Sequence, residues 1–200
     1  MDWKGKLAAL GVAAALLVNI EDLLPPTVGL PLLVLAVIVA WRFTNGFWKT
    51  VAFGIVGGAI AGAVLMGPGF RLAMRVVAIM DPVRTPEFSV GGTLFIIVGI
   101  GGVLGGVIGI AGNLIRKAIP ITSVVAAGVV VALIEMTMLL IEADLREEFV
   151  ELGAGPWVNV PMFGLIVLGY GIAAMAIAEY MERQALDRKP AVAESEKVPA

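Results

Sequence analysis

The chain has 200 residues, of which 60% are hydrophobic and only 15% are charged, and its formal net charge is −2. A soluble domain has about 25% charged residues, so this chain has too few polar side chains to cover a surface that faces water. Cysteine and histidine are both absent from the sequence. This excludes disulfides and thiolate metal sites, and it removes the commonest zinc ligand and general base. The composition predicts an all-α integral membrane protein.

Six apolar segments reach or approach the roughly 20 residues that a helix needs to cross a bilayer. They are residues 6–24, 28–43, 50–66, 92–112, 119–141 and 157–178. The first segment ends before the helix-breaking pair Pro25-Pro26, and the third ends at Gly67-Pro68-Gly69. We therefore expect a six-transmembrane-helix bundle over residues 1–182.

Basic residues in the loops indicate the orientation of a membrane protein, because they concentrate on the cytoplasmic side. With six spans and a cytoplasmic N-terminus, the cytoplasmic segments carry ten of the 14 basic residues: Lys4, Lys6, Arg42, Lys49, Arg116, Lys117, Arg183, Arg188, Lys189 and Lys197. We expect both termini in the cytoplasm. The polar segment 183–200 contains Pro190 and Pro199, and we expect it to be a disordered cytoplasmic tail.

Glycines recur every fourth residue in the third and fourth spans, and residues four apart share a helix face. These residues are Gly54, Gly58 and Gly62 in one span and Gly101, Gly105 and Gly109 in the next. Small residues in this pattern let two helices approach closely in lipid. The pattern favours glycine-zipper packing, within the chain or between subunits, over a glycine-lined pore.

The segment after the Gly-Pro-Gly break is apolar apart from Arg71 and Arg75, which lie four residues apart. It is too short to span a bilayer, so we expect a half-helix over residues 68–80 at the outer interface or dipping into the bundle. The two arginines either extend to lipid phosphates or pair with a carboxylate or a bound anion inside the protein. Irregular backbone at membrane depth is tolerated where protein or a water-filled cavity covers it.

Glu135 is the one acid that lies well inside an apolar span, and Glu142 follows it two helical turns later. An ionised carboxylate at that depth costs about 3 kcal/mol on insertion scales. Glu135 is therefore either a protonatable site on an ion or proton path, or a structural partner of Arg71 or Arg75. Asn113 and Asn159 offer further polar groups in the spans, and Glu179 is expected to be an interfacial charge.

The sequence contains no recognisable catalytic constellation. Serine occurs only at positions 89, 123 and 195, no lysine lies inside a predicted span, and there is no phosphate-cradling Gly-Lys-Ser or Gly-Lys-Thr motif. We expect neither an enzyme nor a bound metal or cofactor. Quinone, carotenoid or lipid binding between the helices stays open, because apolar walls alone can hold such molecules.

One stretch carries a family resemblance. Gly67-Pro-Gly-Phe-Arg-Leu-Ala-Met-Arg-Val-Val-Ala, followed by Glu87-Phe-Ser and Gly92-Thr-Leu-Phe, resembles uncharacterised polytopic membrane proteins of bacteria that are rich in alanine, valine and glycine. The resemblance implies the bacterial cytoplasmic membrane and no particular activity.

The sequence favours a non-catalytic structural or accessory subunit of a bacterial membrane complex. Its expected partners are the lipid bilayer and other membrane-protein subunits or further copies of itself, with no nucleic acid. The alternative is a small ion- or proton-coupled transporter or channel that uses Glu135 with Arg71 and Arg75.

Overall fold

A computed structural model describes residues 3–20, 26–43, 46–81, 89–119, 123–141, 146 and 153–187. In these ranges the chain forms helices and no strands, which confirms the all-α class. The helices are α1 (Trp3–Ile20), α2 (Pro26–Phe43), α3 (Phe47–Met80), α4 (Val90–Ala118), α5 (Val124–Ile141) and α6 (Pro156–Asp187).

Four of these helices are long and apolar enough to cross a membrane, namely α3, α4, α5 and α6. In α2, the apolar part for which side chains are described, Leu30–Trp41, is shorter. Many large apolar side chains of the bundle point outward; Leu72, Phe95, Val103 and Leu165 are each more than 60% exposed. Outward-facing apolar surface on this scale is compatible with a membrane protein, since lipid rather than water would cover it.

The predicted half-helix over residues 68–80 is not a separate element. The structure continues one helix from Phe47 to Met80, straight through Gly67-Pro68-Gly69. A π-helical stretch, Gly62–Met66, lies directly before the proline. Proline lacks a backbone N–H and its ring crowds the carbonyl one turn earlier. A wider turn at that point accommodates both effects, so the helix continues where the sequence pattern predicted a break.

Other predicted boundaries also move. Helix α4, which replaces the fourth predicted segment, is longer than predicted, extending to Ala118 and including a second π-helical stretch, Phe95–Leu104. The fifth begins at Val124, not at residue 119, because the Ser123 hydroxyl caps the helix by accepting a hydrogen bond from the Ala126 N–H at 3.4 Å. The sixth continues to Asp187, so the predicted tail cannot begin at residue 183; residues 188–200 lie outside the described ranges.

Two apolar clusters hold the helices together. The larger one joins α3, α4, α5 and α6, and its fully buried members include Phe163, Val167, Tyr170 and Met175. The smaller one packs α1 and the end of α2 against the last turns of α4 around Leu114. Helix α4 therefore lies between the two clusters, and every helix has at least one buried face.

Candidate functional site

Glu135 lies on the face of α5 that packs against α6. That face repeats every three or four residues through Gly128, Val131 and Ala132 to Glu135, which is 8% exposed. The helices touch through their backbones at Gly128, where an added Cβ would lie 2.5 Å from the Ile172 Cα. The carboxyl group of Glu135 is thus held in a closed helix–helix interface.

One oxygen of this carboxyl is unpartnered among the described residues. Within the described part of the chain, the buried Oε1 atom of Glu135 has no hydrogen-bond partner. Tyr170 of α6 is fully buried. The Tyr170 hydroxyl donates to the carbonyl oxygen of Gly105 at 2.6 Å, so its proton is committed to α4. A buried carboxyl oxygen without a donor is rare in proteins.

The predicted arginines lie on a different helix from Glu135. Both lie in the second half of α3, where Arg71 is partly buried and Arg75 is exposed. Among the described residues no ion pair joins either arginine to Glu135. Glu142, which was predicted to share the Glu135 face, lies outside the described residues. The predicted polar site of Glu135, Arg71, Arg75 and Glu142 therefore stays a prediction, of which the structure shows the burial of Glu135.

The two predicted glycine rows do come together. Helices α3 and α4 run antiparallel, so that Gly54 faces Gly109, Gly58 faces Gly105 and Gly62 faces Gly101. A Cβ built on Gly54 would lie 2.7 Å from the Gly109 carbonyl oxygen, and one on Gly105 would lie 2.9 Å from that of Gly58. Side chains essentially never come this close to backbone atoms, so the contact between these helices requires glycine on both sides.

A polar network that the sequence analysis missed joins α3, α4 and α6 at one end of the bundle. The buried Asn113 side chain donates through Nδ2 to the Thr50 carbonyl oxygen at 2.8 Å and accepts from the Arg116 Nε at 3.1 Å. Arg116 also donates through Nη2 to the Glu182 Oε2 at 2.8 Å and lies 3.6 Å from a Glu179 oxygen.

Two further cations complete this network. Lys117 binds the second oxygen of Glu182, and Arg183 binds Glu179 one turn along α6. Glu179 was expected to be a simple interfacial charge, whereas the structure places it between two arginines. The signal in the sequence was a basic pair at the end of one span and two acids, three residues apart, at the end of another. The basic pair and the two acids meet only because α4 and α6 end side by side in the fold.

The Glu135 carboxyl can hold a proton or make hydrogen bonds, but the site around it offers few side chains that could bind a metal ion. No group of three or more acidic residues that could hold a metal ion occurs in the described ranges. Comparisons with protein-family models, with curated proteins and with solved structures found no match.

Proposed function

We propose that the chain is a six-span protein of the bacterial cytoplasmic membrane with both termini in the cytoplasm. Helices α1 and α2 each have 18 residues, about 27 Å at 1.5 Å per residue, close to the hydrocarbon thickness of about 30 Å. Each also packs against the bundle, through Val12 and Ala40. The distribution of basic residues in the loops supports this orientation.

We further propose that the protein is a non-catalytic structural or accessory subunit of a membrane complex. The observation that carries this proposal is the backbone-to-backbone contact of α3 and α4 along the two glycine rows, which we interpret as a glycine zipper. The polar network ties the same two helices to α6. Close helix contacts and the polar network make the bundle rigid, so that other subunits can pack against its membrane-embedded surface.

Native mass spectrometry of the protein, extracted from its own membrane in mild detergent, tests this proposal. The expected result is a stoichiometric complex with one or more different membrane proteins. Recovery of monomer or homo-oligomer alone from intact membranes would overturn the accessory role.

A second candidate is a proton- or ion-coupled transporter, and the unpartnered buried oxygen of Glu135 favours it specifically. Acidic groups inside membrane helices commonly lie on proton or ion paths. The Glu135→Gln variant keeps the shape of the side chain and removes the titratable proton. In liposomes a transporter should lose coupled proton or cation flux with this change.

The accessory role predicts a different outcome for Glu135→Gln. Because the carboxyl lies in a closed interface without an ionic partner in the described chain, we expect the variant to keep the same bound subunits. Its free energy of unfolding should lie within about 1 kcal/mol of the wild-type value. Flux that is present in wild-type liposomes and absent in Glu135→Gln, with the fold intact, would favour the transporter instead.

A further inference from the structure

An open groove lies between the beginning of α3 and the end of α6, next to the polar network. Its volume is about 550 Å³ and it is lined by Phe53, Tyr180, Met181, Gln184 and Ala185. Volumes of this size are typical of pockets that hold small molecules. The groove is not used by any interaction proposed above.

The groove exists because the contact between α3 and α6 changes from small to large residues. Further into the bundle, a Cβ on Gly57 would lie 2.7 Å from the Ala174 carbonyl oxygen and 3.1 Å from the Ala178 nitrogen. One turn further out, Phe53 stands opposite Tyr180 and Met181. The helices cannot stay in contact across these larger side chains, so a space opens between them.

Aromatic residues place the groove at the edge of the hydrocarbon layer. Trp41 and Trp48 have ring centroids 6.4 Å apart at this end of the bundle, and Trp48 is 56% exposed. Tyr180, on the wall of the groove, is 63% exposed. Tryptophan and tyrosine concentrate where acyl chains meet head groups. The groove therefore lies at the level of the glycerol backbone of a phospholipid.

The polar edge of the groove suits an anion. The Gln184 amide donates to the Tyr180 oxygen at 3.4 Å, which leaves the tyrosine O–H available as a donor. Lys49 is exposed and lies one helical turn before Phe53, on the same face of α3. The nearby acids Glu179 and Glu182 are already engaged by Arg116, Lys117 and Arg183, so they do not cancel the charge of Lys49.

We propose that this groove binds one anionic phospholipid. One acyl chain lies against Phe53, Met181 and Ala185, and the phosphate is held near Lys49 and the Tyr180 hydroxyl. The proposal is independent of whether the protein is an accessory subunit or a transporter. It assigns the space beside the polar network to a lipid with a charged head group.

Native mass spectrometry of the purified full chain, titrated with phosphatidylglycerol or with phosphatidylcholine of the same acyl composition, tests the proposal. Wild type should retain phosphatidylglycerol preferentially. Lys49→Gln should weaken retention of phosphatidylglycerol about fivefold, the equivalent of ~1 kcal/mol for one basic residue at an anionic surface, and weaken that of phosphatidylcholine less, because choline neutralises the charge of its phosphate. Lys4→Gln is the matched control, because it removes the same charge from α1, which packs against α2 and α4.

A second pair of variants tests the groove itself. Ala185→Phe fills it and should reduce the retention of both lipids, whereas Ala176→Phe, on an exposed position of the same helix, should not. Equal retention of the two lipids by wild type, equal effects of Lys49→Gln and Lys4→Gln, or equal effects of the two phenylalanine variants would each overturn the proposal. If Ala185→Phe melts well below Ala176→Phe, the lysine pair decides the outcome.

Discussion

The contact between α3 and α4 predicts a specific cost for adding one methyl group at Gly58. A Cβ there would overlap the Gly105 carbonyl oxygen and lie 2.8 Å from the Gly109 Cα, the second of these about 0.6 Å closer than the 3.4 Å at which ordinary van der Waals contact begins. The obstructing atoms belong to backbone, which cannot rotate out of the way as a side chain can. Gly58→Ala must therefore separate the two helices locally.

The size of the effect follows from two opposing terms. Overpacking in a close-packed interior typically costs 1–3 kcal/mol, and replacing glycine by alanine in a helix recovers up to about 1 kcal/mol. Gly169→Ala is the matched control, since a Cβ at Gly169 would meet nothing within 4 Å and only the second term applies. We expect Gly58→Ala to be less stable than Gly169→Ala by about 1–3 kcal/mol.

Thermal melting of the two variants in the same detergent, followed by tryptophan fluorescence, measures this difference. For a chain of this length each kcal/mol shifts Tm by about 2–4 °C. Gly58→Ala should also be less stable than Gly169→Ala in denaturant titrations if the change lowers the equilibrium free energy of unfolding. If Gly58→Ala melts at or above Gly169→Ala, the glycine contact between α3 and α4 does not stabilise the protein, and the zipper interpretation is wrong.

Two further predictions concern the hydrogen bonds that join separate helices. Arg116→Met should lower the free energy of unfolding by about 1–3 kcal/mol, because the Asn113 Oδ1 loses its donor and Glu182 keeps only Lys117 among its described partners. The control is Arg183→Gln, on a side chain that is 74% exposed, which should lower the free energy of unfolding by less than about 0.5 kcal/mol. Equal losses in the two variants would contradict the network. Tyr170→Phe removes the hydroxyl that donates to the Gly105 carbonyl and should cost about 1 kcal/mol in the same melting assay, whereas Tyr180→Phe on the exposed surface should leave the midpoint close to wild type.

Patterns among residues close together in the chain predicted several features of the fold. Apolar runs long enough to cross a bilayer predicted the membrane class, and the four-residue spacing of Gly54, Gly58 and Gly62 marked a helix face before any partner was known. The position of Glu135 within an apolar run marked it as a polar group inside the bundle, but not whether it is buried or faces water. These features depend on residues close together in the chain, where helix geometry alone relates spacing to a face.

Features that depend on how separate helices meet were predicted less well. Gly67-Pro68-Gly69 looked like a break, yet α3 continues through it because the π-helical stretch before it accommodates the proline. Pairing with Glu135 was one of two interpretations for Arg71 and Arg75; the arginines lie on α3 and Glu135 on α5, and the described residues include no ion pair between them. Asn113 was expected to offer a polar group within a span, but its partners, the Thr50 carbonyl on α3 and Arg116, could not be named from the sequence.

The sequence by itself determined that this chain is helical and apolar enough for a membrane, and which faces of its helices bear small residues, since these follow from composition and from a fixed helical period. Tertiary structure alone decided which faces meet. It set the two glycine rows against each other, left Glu135 in a closed interface, and brought Arg116 and Lys117 beside Glu179 and Glu182 across more than sixty residues of chain. Long-range pairing depends on the packing of whole helices, and no local spacing encodes it.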